Sequence, residues 1–397
     1  MKKLDMLALG LGALVALSAQ AADKSSTLVY FGTRGANAPA PARAGAPPAP
    51  APEPQGIYAA RLDTKTGHLT GLGLQATLDR ATWLVTNPGL PVIYAVANGP
   101  NGMAGESEMH AFAVDTASGK LRELNKVGTG GRDATHVAID GVDKAVFIAN
   151  HGSGDVTTLP LKADGSLGTV ASDQKTTGTG PHRRQSMPQP HGIAVHPGHG
   201  FVAMADFGAD RLYLFKVDRA TAALSPTAIP FEPMPMGSGP RHLAFRPDGK
   251  FLYVNSELSA ELFTFAFDAK SGTVHQLQRF SPYPANYAGT QEKSSAESAI
   301  SRDGRYLYIS LRGDQNSLIV YAIDPKDGTL KEIQRLSCEG KSPWSFGIDP
   351  SGNWMLVTNV DSSAVAVFRV DRASGKLTYS GESLSVPQAI AVTFLGG

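Results

Sequence analysis

The chain has almost no cysteine, no excess of either charge, no helical periodicity and a single long apolar run. Each absence removes a class of answer. One cysteine in 397 residues, Cys338, cannot form an internal disulfide, so the fold must rest on its core, and a small buried packing role is expected for the thiol. The 36 basic and 35 acidic side chains leave a formal charge of +1, which provides no field to attract nucleic acid or an anionic membrane. No complete G-x-S-x-G elbow, P-loop or H-E-x-x-H occurs, and the ten histidines lack metal-ligand spacing, so neither a metal nor another cofactor is expected. Aromatic residues are spread along strand-like segments as core and form no platform for bases.

What is present begins with a leader. Lys2 and Lys3 make a basic start, Met6 to Leu17 is an apolar run too short to span a bilayer comfortably, and Ala19-Gln20-Ala21 is a small-residue cleavage site. Residues 1–21 are therefore expected to be a signal peptide, with a mature domain over 22–397 that is periplasmic or secreted. Residues 36–54, ANAPAPARAGAPPAPAPEP, are a Pro/Ala-rich tract that favours extended polyproline II and buries no apolar surface. They read as a loop inserted between the strands 28–31 and 57–61, with no chemistry assigned.

The apolar fraction of 42% supplies ample core, and its pattern is that of strands. In 237–277, Pro247-Asp248-Gly249 is turn chemistry, 251–254 is a short aromatic and β-branched run, and Phe263, Phe265 and Phe267 alternate as in a strand packed between two layers. Arg241 and His242 precede one of these strands and Glu257 follows the next. A turn of the form Asp-x-x-x-Gly-x-Leu recurs at Asp63, Asp115, Asp324 and Asp371, with degenerate copies at Asp164, Asp218 and Asp268. Seven copies about fifty residues apart, each with a companion strand, predict an all-β seven-bladed β-propeller, with an open solenoid as the other architecture. The chain opens partway through a repeat and ends on a spare strand, 387–395, so pairing of the N- and C-terminal strands would close the ring and hide both edges.

Several motifs now carry a resemblance: GRDATHVAID (131–140), FIANHGSGDV (147–156), RRQSMPQPHGIAVHP (183–197), ADFGADRLYLF (205–215), GSGPRHLAFRPDGKFLYVNSEL (237–258), AESAISRDGRYLYISLRG (296–313) and SPWSFGIDPSGNWMLVTN (342–359). From about Thr27 to Phe394 the chain resembles the seven-bladed propeller lactonase family, which includes bacterial phosphogluconolactonases and fungal carboxymuconate-lactonising enzymes. The resemblance implies that His191, Arg241, Glu257 and Arg312 occupy the catalytic positions of the carboxymuconate branch, near one end of the central channel. It also implies substrate-binding positions at His136, Arg184, Gln185, His242 and Glu297. The family's Pro-Arg-Asn-Phe motif is here Pro343-Trp344-Ser345-Phe346, so a pocket arginine is expected to be missing and Trp344 to offer a face for stacking on a sugar ring. Fewer cations should weaken binding of a doubly charged phosphate more than of a neutral lactone. In the same way, Ala299 stands where the family has a histidine and Leu311 where it has an asparagine.

These residue types suit ester chemistry. Lactone hydrolysis needs a base for water, a group for the tetrahedral oxyanion and cations for substrate anions. Arginine suits the last two tasks because its planar fork stays charged and pairs bidentately. His191 or Glu257 would activate water, and Arg241 and Arg312 would hold substrate and oxyanion. Each residue also has a structural reading: Glu257 bridging Arg241, His136, His242 and Glu297 as hydrogen-bonded wall, 182–184 as a solvated loop, Asp206 and Asp210 as turn residues. The expected partner is a small-molecule lactone, with neither nucleic acid nor, after leader removal, membrane. The reading is an exported lactonase acting on a sugar lactone such as gluconolactone. The alternatives are a muconate-type lactonising isomerase and a non-catalytic propeller that binds a ligand or protein.

Overall fold

The computed structural model describes residues 25–35, 55–99, 101–142 and 144–396. The expected signal peptide and the 36–54 insertion lie outside the described residues. Within 237–277 the strands are Pro240–Phe245, Phe251–Ser256 and Leu262–Asp268, and a fourth, Thr273–Phe280, completes an antiparallel meander. The Pro247-Asp248-Gly249 turn forms because Gly249 adopts φ +71 and donates its N–H to the Arg246 carbonyl at 2.8 Å. Arg241 and His242, expected just before the first strand, lie inside it.

Six further four-stranded sheets repeat this meander, at 26–77 joined by 389–394, then 83–132, 134–175, 190–233, 295–337 and 343–385. We number the blades in chain order, so 26–77 with 389–394 is the first and 240–280 the fifth. The first strands of neighbouring blades touch one another around the ring and enclose the central channel. The ring is closed as the termini predicted: Ala389–Phe394 pairs antiparallel with Ser26–Thr33, Val29 opposite Phe394. Among the described residues the only helical element is a 3-10 turn, Val360–Ser362.

Apolar burial occurs between blades. Among the described residues seven hydrophobic clusters are present, and each joins two neighbours; one packs Phe263 and Phe265 of the fifth blade against Leu212 and Leu214 of the fourth. That explains why the third strand of a blade is apolar on both faces, since each face meets a different blade. Cys338 is buried in one of these clusters, where desolvation pushes its thiol up to about 11, as a packing residue requires.

The recurrent aspartate turn is the hairpin between the third and fourth strands. In the seventh blade Asp371 Oδ1 accepts from the Ala373 N–H, and Gly375, at φ +73, donates to the Asp371 carbonyl at 2.7 Å. A Cβ at Gly375 would collide with the Tyr306 ring, so neither the dihedral nor the space admits another residue. The same glycine's carbonyl accepts from Tyr308 of the sixth blade at 3.0 Å, and Tyr30, Tyr94 and Tyr253 repeat that stitch to Gly119, Gly165 and Gly328. Tyr308→Phe leaves a buried carbonyl unpaired and should lower stability by about 1–3 kcal/mol. Urea unfolding will read this as a lower midpoint with an unchanged slope.

Candidate active site

The site is built from two rings of equivalent positions at one end of the channel. The first ring consists of β-bulges near the start of the innermost strands. Opposite an unbroken partner, the strand pairs through Pro190 and Gly192, through Pro240 and His242, and through Pro343 and Ser345. The residues left over are His191, Arg241 and Trp344. Thr135 and Ile390 are the extra residues of the third and first blades by the same shift. A bulge re-aims a side chain out of the pleat, and all five of these side chains line one cavity of about 150 Å³. Proline suits the preceding position because a ladder hydrogen bond is already lost there.

The second ring lies one residue beyond the second strand of each blade. In all seven blades that residue donates its N–H to a carbonyl just before the innermost strand: Arg34 to Gln388, Asn98 to Asp79, His151 to Asp133, Phe207 to Gln189, Glu257 to Gly239, Arg312 to Ser294 and Val360 to Ser342. The bond places the side chains of Arg34, His151 and Glu257 on the cavity wall. Arg184 reaches the wall from the loop before the fourth blade. Asp206 holds this loop through the Gln189 N–H and Thr176 hydroxyl, and Asp210 through the Gln185 amide, so both act as the turn residues expected.

Three guanidiniums converge on one carboxylate. Arg184 Nη1 donates to Glu257 Oε1 at 2.8 Å, and Arg241 Nε and Arg312 Nη2 meet Oε2 at 2.9 and 3.1 Å. Burial alone would raise the Glu257 carboxyl, but Arg312, Arg241 and Arg184 outweigh it and hold the group well below the usual carboxylate range. With both oxygens engaged, Glu257 is fitted to align guanidiniums rather than to take a proton. Arg241 is only 2% exposed; desolvation and Arg312 push it down to about 10, so it keeps its charge at neutral pH.

Behind Arg241 runs a supporting chain. Glu297 accepts from His242 Nδ1 at 2.7 Å, from the Ser298 N–H at 2.9 Å and from the Ser345 hydroxyl at 3.1 Å. His242 Nε2 then faces Arg241 Nη1 at 3.2 Å, which fixes the proton on Nδ1 because a guanidinium only donates. His136 lies beneath Trp83, ring centroids 4.1 Å apart, and takes the Ile193 N–H on Nδ1 at 3.4 Å. His191 lines the cavity, and its Nδ1 is buried without a hydrogen-bond partner.

Burial lowers the imidazoles of His136, His191 and His242 well below 6.5, and lowers that of His151 as well. Folding therefore favours their neutral forms. The stability they retain is complete above the unfolded value of 6.5 and is lost as pH falls below it, by up to about 1.4 kcal/mol per pH unit for each group that must protonate to unfold. Thermal melts should be flat with pH above neutrality and shift steeply downward below 6.5.

Most of the anticipated positions converge here. His191, Arg241, Glu257, Arg184, His242 and Trp344 line the cavity, Arg312 joins it through Glu257, and His136 and Glu297 stand behind the wall. Gln185 does not belong with them. It is fully buried, and its amide bonds the Phe207 carbonyl, Asp210 and the His182 N–H, so it shapes its own loop. The missing cation also needs correction: Arg34 places its guanidinium 5.3 Å from the Trp344 ring, with Arg312 at 4.5 Å and Arg241 at 5.7 Å. Arg34, Arg80, Asp133 and His151 were not singled out as ligands from the sequence. Arg34 and His151 hold the same repeat position as Glu257 and Arg312, which is the signal that aligning the seven repeats supplies.

Comparison with known proteins agrees with this geometry. A family model described as "Lactonase, 7-bladed beta-propeller" matches residues 44–394. A 6-phosphogluconolactonase of Bacillus subtilis is 33% identical over 343 residues, covering 86% of this chain and 95% of that protein. Among solved structures, a Pseudomonas aeruginosa protein described as a periplasmic gluconolactonase is 29% identical with a TM-score of 0.83, covering 94% of this chain and 99% of that one. A putative 6-phosphogluconolactonase from Bacteroides fragilis is 26% identical with a TM-score of 0.81, covering 94% and 98%. A propeller closed in seven blades, a polar cavity at one end of its channel and a family match spanning nearly all of the described chain place this protein in the seven-bladed β-propeller lactonase family.

Proposed function

We propose that this lactonase hydrolyses an unphosphorylated sugar lactone of the gluconolactone kind outside the cytoplasm, opening the ring ester to the hydroxy acid. The observation that carries the reaction is charge: Arg184, Arg241 and Arg312 share the single carboxylate of Glu257 in an enclosed cavity. A neutral lactone brings no charge to match that excess. Addition of water's oxygen creates a tetrahedral oxyanion and finally a carboxylate, so the guanidiniums stabilise the transition state more than the ground state. His191 is the general base, because its ring lines the cavity and its Nδ1 has no hydrogen-bond partner. Trp344 offers its ring as a floor for the sugar.

Export rests on the leader over 1–21, and the Pseudomonas aeruginosa protein is described as periplasmic. A phosphorylated lactone is the second reading, favoured by Arg34, which returns a cation beside Trp344. Initial rates of acid release on both lactones separate the two. The proposal expects kcat/KM for gluconolactone at least tenfold above that for its 6-phosphate, a difference of about 1.4 kcal/mol. The reverse ratio would overturn the unphosphorylated reading, and recovery of the native protein in the cytoplasmic fraction would overturn export.

A further inference from the structure

Ester hydrolysis moves a proton twice, off the attacking water and onto the ring oxygen as its bond to carbon breaks. Few groups at this cavity are free to do it. Glu257 has both oxygens on guanidiniums, and Glu297 has three donors facing it. His242 has one ring nitrogen on Glu297 and the other on Arg241, and His136 accepts from a backbone N–H. That leaves Asp133, whose Oδ1 faces the Arg80 guanidinium at 3.6 Å, and the imidazoles of His191 and His151. Both rings line the cavity, they meet edge to face with centroids 5.4 Å apart, and the Nδ1 of each is buried without a hydrogen-bond partner. A buried nitrogen without a partner is destabilising, so two of them on rings that line one cavity mark a place where a ligand or its water completes the bonding.

We propose that His151 is a second catalytic imidazole, which works with His191 as a two-histidine proton relay across the bound lactone. The inference rests on the hydrolytic reading above. His191 takes a proton from water while the water oxygen bonds to the carbonyl carbon and the carbonyl electron pair moves to its oxygen. The proton passes to His151. As the oxyanion collapses, the bond between the carbonyl carbon and the ring oxygen breaks, and His151 returns the proton to that oxygen, so the imidazoles end as they began. The direction of transfer follows from the surroundings. His151 is desolvated, but Asp133, Glu257 and the Pro190 carbonyl favour its charged form against Arg184 alone. His191 is desolvated and faces Arg241 with three other imidazoles, His242, His151 and His136, all opposing its charge. A proton accepted at His191 is therefore better held at His151. Position supports the assignment too, because His151 stands in the same ring as Glu257 and Arg312, fixed by its N–H on the Asp133 carbonyl at 3.2 Å.

The test uses the mature protein with gluconolactone, the wild type beside His151→Ala and His151→Gln. The relay predicts that kcat in both variants falls by about a hundredfold or more with KM nearly unchanged. Added imidazole should restore rate to His151→Ala with saturation, which a purely structural role would not allow. In His151→Gln the acidic limb of the pH–rate profile should move to lower pH, because the remaining base is the more strongly depressed one. Thermal unfolding of each variant checks the fold, and His151→Gln carries the test should the smaller side chain destabilise the turn. A His151→Gln enzyme within about threefold of wild-type kcat, or a folded His151→Ala enzyme whose lost rate imidazole does not restore, overturns the relay while leaving hydrolysis standing. No turnover by the wild type overturns the hydrolytic reading and the relay together.

Discussion

Glu257→Gln is expected to lose both stability and activity. The amide keeps the shape of the carboxylate but leaves Arg184, Arg241 and Arg312 without a counter-charge, with Arg241 almost wholly out of water. Removing one partner of a buried ion pair costs about 3–5 kcal/mol, and here one removal strands several cations. The guanidiniums should then repel one another out of register, and kcat/KM should fall on the order of 10²- to 10³-fold, as when a preorganised oxyanion donor is lost. Glu257→Asp restores the charge and should recover part of the stability. The pattern distinguishes two roles for Glu257. A keystone loses melting temperature and rate together, whereas a general base would lose rate alone and keep its unfolding midpoint.

His191→Asn is expected to show that opposite pattern. Its Nδ1 makes no hydrogen bond in the folded protein, so substitution breaks none there, and the unfolding free energy should change by no more than about 1 kcal/mol. The rate should fall about 10²- to 10⁴-fold in kcat, the range for loss of a positioned acid–base group. Because burial and the neighbouring Arg241 hold this imidazole well below 6.5, the wild-type enzyme should stay active as pH falls through 6.5 and lose activity only below it. A variant that loses stability but keeps its turnover would remove His191 from the chemistry.

How much of this was legible in the sequence depended on whether the determining physics is local. The Asp-x-x-x-Gly-x-Leu turns could be read directly, because the aspartate caps its own loop and the glycine supplies a positive φ within five residues of it. Seven such turns at one spacing fixed the blade count, and an unpaired strand at each end fixed the closure. The bulges at His191, Arg241 and Trp344 were not legible in that way, since a register shift belongs to a pair of strands and not to either one. Family motifs pointed to these residues without giving the reason they face the channel. Gln185 shows the cost of motif reading alone: it sits beside Arg184 in RRQ, yet its amide is held by its own loop while Arg184 reaches Glu257. Arg34 shows the converse. A cation missing from one strand is replaced from another that is neighbouring only because the ring closes through the first blade.

Addition of water across a lactone ester is the reaction proposed for this cavity. It is tested most directly by following acid release from gluconolactone in heavy-oxygen water, with the product weighed by mass spectrometry and the spontaneous rate subtracted. The prediction is acid release well above the spontaneous rate, with each enzymatic product heavier by one water and carrying one heavy oxygen in its carboxylate. Acid release no faster than the spontaneous reaction from folded protein, or an enzymatic product with the mass of its substrate, would contradict hydrolysis.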